Sequence, residues 1–314
     1  MPAEKKMAVA VTALAALVTM WIMSGAPAAQ QSSAWSAPQN LGAGVNTAAN
    51  EAQPALSPDG LSLYFTSNRP GGSGGEDIWA TRRSSATSPW QAAVPIKALN
   101  TSSTESAPAF DTTGHWLFFG TEREGGCGGR DLWLSYRANI KDDLSWKPPI
   151  NMGCGNLSWP GFDDGPAYFL ERRTGLGALF FISDRPGGVG GRDIWMASHR
   201  DGRAFDAPVD VGELNSTADD QRPVLAADGL EVVFLSFRPS PFSATGATSD
   251  LWTSRRSSIA QSWSAPVNLA SLNSTATEGG PALSGDGRTL FFHSNRPDGF
   301  GNLDLYVATR PAAN

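Results

Sequence analysis

Two cysteines and three histidines are all that 314 residues offer for thiol or imidazole chemistry. His115, His199 and His293 stand apart with no H-x-H or H-x-x-x-H spacing, so no zinc site is expected and no metal ligands are assigned. Basic residues are also few: 24 Lys and Arg against 30 Asp and Glu give a formal charge of −6, and the cations are scattered. That balance argues against nucleic acid or anionic lipid as partners. No Gly-rich stretch is followed by Lys-Ser or Lys-Thr, which excludes a phosphate loop. Beyond residue 30 no segment carries a helical apolar period of useful length, and the remainder reads as β-structure.

The one long apolar run lies at the start. Lys5 and Lys6 precede Met7 to Met23, and "SGAPAAQ" follows, with Ala26-Pro27-Ala28 as a small-residue cleavage site. Residues 1–28 read as a signal peptide, leaving a domain over 29–314 and a periplasmic or secreted location; a retained membrane anchor is the alternative. Cleavage removes two lysines and one glutamate, which takes the formal charge from −6 to −6 − (2 − 1) = −7. The mature chain is expected to be a monomer without stable membrane insertion. In an oxidising compartment Cys127 and Cys154 are first read as a disulfide.

What the sequence has in quantity is glycine, 34 residues, and an internal repeat. The stretch "SNRPGGSGGEDIW" (67–79) recurs as "TEREGGCGGRDLW" (121–133), "SDRPGGVGGRDIW" (183–195), "SFRPSPFSATGATSDLW" (236–252) and "SNRPDGFGNLDLY" (294–306). Its last aromatics, Trp79, Trp133, Trp195, Trp252 and Tyr306, are spaced 54, 62, 57 and 54 residues apart. Upstream of each copy stands an acid three residues before Pro, then a turn and a short apolar run, as in "EAQPALSPDG" and "LYFTS". A Trp- or Phe-led segment such as "WSAPQNLGAGVNT" precedes each acid. Each unit therefore reads as three strands plus an outer one.

The motifs "PALSPDG", "LYFTSNRPGG" and "DIW" resemble the WD40-like β-propeller repeat family of the Pro-Asp type, whose members include the repeats of the periplasmic propeller TolB, over about 280 residues. The resemblance implies an all-β, single five-bladed β-propeller of four-stranded antiparallel blades. Because the chain begins with an outer strand and ends on a third one, the N-terminal strand is expected to complete the last blade and close the ring.

Naming the strands A to D outward, the acid before A, the arginine after B and the aspartate before C share one face. They are Glu51, Arg69 and Asp77; Glu105, Arg123 and Asp131; Asp163, Arg185 and Asp193; Asp220, Arg238 and Asp250; Glu278, Arg296 and Asp304. One reading is structural, each arginine bridging its blade's two carboxylates. The compatible functional reading is a ring of carboxylates at the channel mouth that holds a cation or a sugar. No cofactor is implied; the G-G-x-G-G-x-D pattern is compatible with loose calcium contacts only. Gly71 to Gly75 formally match G-x-S-x-G, but a nucleophile elbow needs a helix and a histidine partner, and neither is in view.

Blades that depart from the pattern add Trp159, Phe162, Phe242 and Phe300 to the same face as ligand contacts. Cys127 and Cys154 fall there in adjacent blades, which fits a disulfide. The main functional expectation is a non-catalytic module that recognises a protein partner or an envelope glycan. The alternative is a glycosidase or polysaccharide lyase; no catalytic residue is assigned, but for an enzyme the ring offers Asp163 as base and Glu105 or Glu278 as acid.

Overall fold

The computed structural model describes residues 35–200 and 204–312; the expected signal peptide lies outside the described residues. After β1 (Gln39–Asn40) the chain lays down four complete blades and three strands of a fifth. Blade 1 is β2 (Glu51–Leu56), β3 (Ser62–Ser67), β4 (Asp77–Arg82) and β5 (Val94–Pro95), and blade 2 is β6 (Glu105–Phe110), β7 (Trp116–Thr121), β8 (Asp131–Tyr136) and β9 (Ile150–Asn151). Blade 3 is β10 (Asp163–Glu171), β11 (Leu176–Ser183), β12 (Asp193–Arg200) and β13 (Val209–Asp210). Blade 4 is β14 (Asp220–Leu225), β15 (Glu231–Ser236), β16 (Asp250–Arg255) and β17 (Val267–Asn268), and β18 (Glu278–Leu283), β19 (Thr289–Ser294) and β20 (Asp304–Thr309) begin blade 5. β1 pairs antiparallel with β20, Gln39 opposite Val307, and so supplies the missing outer strand. The described residues contain no helix.

The second strand of each blade is buried on both faces, which is why it reads as an unbroken apolar run such as "SLYFTS" and does not alternate. It packs against both neighbouring blades. The five apolar clusters of the core accordingly sit one in each gap between blades. Tyr64, Phe119 and Trp133 join blades 1 and 2, while Leu63, Phe65 and Trp79 meet Phe291 and Leu305 to join blades 5 and 1. The outer strands are only two residues long, because the Trp-led segments carry prolines that withhold a ladder donor. Their tryptophans turn inward instead, and Arg310, Arg137 and Arg256 lie over Trp35, Trp146 and Trp263.

The innermost strands share one irregularity that shapes the channel. After the first two residues the register shifts, and the third residue takes a left-handed backbone in every blade: Gln53 (φ 55), Ala107 (φ 61), Gly165 (φ 60), Arg222 (φ 56) and Gly280 (φ 54). A bulge of this kind re-aims the side chains around it. In three of the five blades the position is held by a residue with a Cβ, for which this conformation is disfavoured.

Candidate functional site

The repeated acid and arginine form a latch. In blade 1, Arg69 Nη2 pairs with Glu51 Oε1 at 2.9 Å and donates to the Val45 carbonyl at 2.6 Å, while its Nε reaches Ser67 Oγ at 3.1 Å. The other carboxylate oxygen of Glu51 accepts the Thr47 amide at 2.6 Å. The pair recurs as Arg123–Glu105 (3.2 Å), Arg185–Asp163 (2.8 Å), Arg238–Asp220 (2.6 Å) and Arg296–Glu278 (3.0 Å), and each arginine lies over the aromatics of strands B and C. All five acids are 0% exposed. The expectation that each arginine bridges its blade's two carboxylates is corrected here, because the aspartate before strand C serves the Gly-rich loop. Asp77, Asp131, Asp193 and Asp304 accept amides of that loop, Asp77 from Ser73 at 2.8 Å. Asp250, beneath the lengthened loop, accepts from the Asn268 side chain at 3.1 Å.

These contacts place Glu51, Glu105, Asp163, Asp220 and Glu278 below the surface, with both carboxylate oxygens of Glu51 engaged by the scaffold and each acid held by its own blade's arginine. Burial raises the pKa of Asp163, against bonds from Ser183, Trp159 and Arg185. The geometry therefore gives the ring to the scaffold, and with it Asp163, Glu105 and Glu278.

The groups that face one another across the mouth lie one or two residues from the latch. Asp164 Oδ2 accepts Arg130 Nη1 at 2.9 Å and Ser106 Oγ at 3.1 Å. Its Oδ1 is buried without a partner. Gly120 makes room for it, since a Cβ there would stand 2.1 Å from Oδ1. Arg130 turns its Nη2 and Nε to Glu122 Oε1, at 2.8 and 3.2 Å, and the Glu122 side chain remains 47% exposed. Glu76, half-buried at the end of the blade 1 loop, completes a set of three carboxylates around Arg130 and Arg222. Burial raises the pKa of Glu76; the charges of Asp164 and Glu122 push it the same way, and Arg130 and Arg222 oppose them. Arg130 is raised, the Asp164 and Glu122 carboxylates outweighing its own burial. His293 lies behind, buried beside Arg222, with its pKa pushed down to about 3. The Gln53 amide donates to its Nδ1 at 3.3 Å.

Of the predicted aromatics, Phe162 and Trp159 belong to this region. Phe162 lies beneath Arg130 and Arg192, whose guanidinium carbons are 5.2 and 3.9 Å from its ring centroid. Trp159 is 37% exposed nearby in the chain. The loop carrying both is tied down by the Cys127–Cys154 disulfide, with Cα atoms 5.3 Å apart. Phe242 and Phe300 sit in the loops of blades 4 and 5, half-buried and exposed respectively. Among the described residues no group of three or more His, Cys, Asp and Glu side chains could hold a metal ion.

No family model and no curated protein matches the chain. Solved structures do. An α-L-arabinofuranosidase from Podospora anserina, determined with cellotriose, is 11% identical and covers 90% of this chain and 98% of its own, with a TM-score of 0.55. A GH43 endo-arabinanase from Bacillus licheniformis is 13% identical over 84% of this chain and 94% of its own, at a TM-score of 0.55. A putative TolB from Agrobacterium tumefaciens is 16% identical over 90% and 93%, with a TM-score of 0.48. At these identities the likeness to the arabinofuranosidase and the endo-arabinanase bears on the fold alone. That fold corrects the main functional expectation: the architecture read from sequence as a non-catalytic module is the one on which arabinofuranosidases, an endo-arabinanase and a β-xylosidase are built.

Proposed function

We propose that this protein is a carbohydrate-active enzyme of glycoside hydrolase type, exported by its leader and built on WD40-like repeats, with its reaction centre at the channel mouth between blades 1 and 3. The observation that carries this reading is the division of labour among three carboxylates. Glu76 is half-buried with its pKa raised by burial and by the neighbouring acids, the condition of a general acid that keeps its proton. Glu122 is exposed and held at one oxygen by Arg130, which leaves its other oxygen to orient a water or attack a sugar carbon. Asp164 is the buried third charge. It fixes Arg130 and adds to the negative charge that raises the Glu76 pKa.

A glycosidic oxygen placed against Glu76 would receive its proton as the bond to the anomeric carbon breaks, while Glu122 serves the opposite side of the ring. Trp159 offers an apolar face for a neighbouring sugar. The fold shared with glycosidases supports this reading by analogy alone. The test is release of reducing ends from arabinose- and xylose-containing polysaccharides and from envelope glycans, by the wild-type protein and by Glu76→Gln and Glu122→Gln. Release abolished by both substitutions supports the assignment; no release on any polymer, or release that survives both, overturns it.

A further inference from the structure

The axis of the propeller is divided by the ring of left-handed residues. On the side of the A-to-B turns the channel widens into a cavity of about 660 Å³, within the range of small-molecule sites. One proline per blade lines it, from Pro54 to Pro281, with Leu56, Phe110 and Val224 farther out. Its inner end is formed at Gly165 and Arg222. Arg222 is 8% exposed, and its Nη1 is shut off from solvent with no acceptor. Among the described residues Arg222 makes no ion pair, whereas the nearby Asp164 is already bound by Arg130. Burial holds its pKa down to about 10, with the Arg130 charge acting the same way and Asp164 and Glu76 opposing it.

An apolar cavity that ends in a buried, unpaired guanidinium lacks one thing, an anion attached to apolar matter. We propose that this cavity binds an apolar monocarboxylate, inserted from the A-to-B turn face with its carboxylate on Arg222. A guanidinium and a carboxylate match in geometry and charge, and their pairing offsets the desolvation of both. A single guanidinium neutralises a single charge, so a dianion such as a phosphate ester would carry an unpaired charge into apolar walls. The acids Asp111, Asp228 and Glu171 outnumber Arg172 in the lining, so the rim does not itself favour an anion. Selection falls to the inner end. The Arg222 charge is also felt by Glu76, so the site is tested by ligand binding and not by turnover, and it does not rest on the roles given to Glu76 and Glu122.

The experiment is calorimetric titration of the full protein with octanoate and with octanol, which share the chain and differ in the head. Octanoate is expected to bind at least tenfold more tightly than octanol. Arg222→Met is expected to bring the two affinities together, and Arg222→Lys to keep a preference for octanoate. Leu56→Trp, which fills the cavity without touching the arginine, is expected to remove both, and thermal unfolding of each variant establishes that it is folded. Absence of octanoate binding at millimolar concentration, equal affinity for the two compounds, or a preference that persists in Arg222→Met overturns the proposal.

Discussion

Asp163 and Asp164 are consecutive in β10 and serve opposite partners: Asp163 is bound by Arg185 of its own blade at 2.8 Å, and Asp164 by Arg130 of the preceding blade at 2.9 Å. Successive residues of a strand face opposite ways, so one carboxylate is built into the blade and the next is delivered to the mouth.

Replacing Asp163 by Asn should therefore be a stability mutation. It leaves Arg185 without its counter-charge in a buried site, at a cost of about 3 kcal/mol. Chemical denaturation should register that loss, while any turnover per folded molecule stays at the wild-type level. A turnover defect with unchanged stability would place Asp163 in the reaction instead.

Glu76 should govern the alkaline side of the activity profile. Its pKa is raised, so the protonated form persists above the usual carboxylate range and kcat/KM falls as pH rises through that value. Asp164→Asn removes one of the charges that raise it and should move this limb to lower pH. Glu76→Gln should reduce kcat on the order of 10²- to 10⁴-fold.

The recurring latch is readable from sequence because each of its parts appears five times, with acid and arginine 18 residues apart in four blades and 22 in blade 3. Glu76 and Arg222 are not, because they lie beside the recurring residues at positions that do not repeat around the ring, and Asp164 stands out only as the neighbour of Asp163. The second residue of the inner strand is Ala52, Ser106, Asp164, Gln221 or Gly279, and the third is Gln53, Ala107, Gly165, Arg222 or Gly280. Repetition marks what the scaffold needs in every blade; a site made once, at the centre of a ring, is assembled from what does not repeat. The available signal was the charge at those two non-repeating columns. Departures from the repeat point to Trp159 and Phe162, which the disulfide-tied loop carries, and to Asp164 and Glu122 near them, but give those two acids no role. The left-handed bulge that turns Arg222 to the axis has no mark in composition, since Gln, Ala and Arg occupy it as well as Gly.

His293 should make the protein sensitive to mild acid. Its pKa falls from 6.5 in the unfolded chain to about 3 in the folded one, so the fold prefers the neutral ring. The corresponding stability is fully present above pH 6.5 and is lost as pH drops towards 3. The slope is about 1.4 kcal/mol per pH unit within that window. His293→Gln should flatten it, which urea midpoints at neutral and mildly acidic pH would reveal; an unchanged slope would mean that other groups carry the dependence.

Opening the disulfide should loosen the loop that carries Trp159 and Phe162. Closing a separation of 27 residues is worth about 3 to 4 kcal/mol by loop entropy. Cys127→Ser with Cys154→Ser should lower Tm by roughly 10 °C. Reduction of the wild-type protein should reproduce the shift.

The pairing of β1 with β20 sets an order in time. Asn40 donates to Asp304 at 2.9 Å across 264 residues, so the earliest described strand must wait for the latest one to find its partner. Until the final strand is made, blade 5 has no outer edge and the gap between blades 5 and 1 has no core. Loop closure over such a distance is entropically costly and slow, and the half-built ring exposes two unpaired edges meanwhile. A circular permutant beginning at β2 and ending at β1 would make blade 5 a local fold and remove that wait.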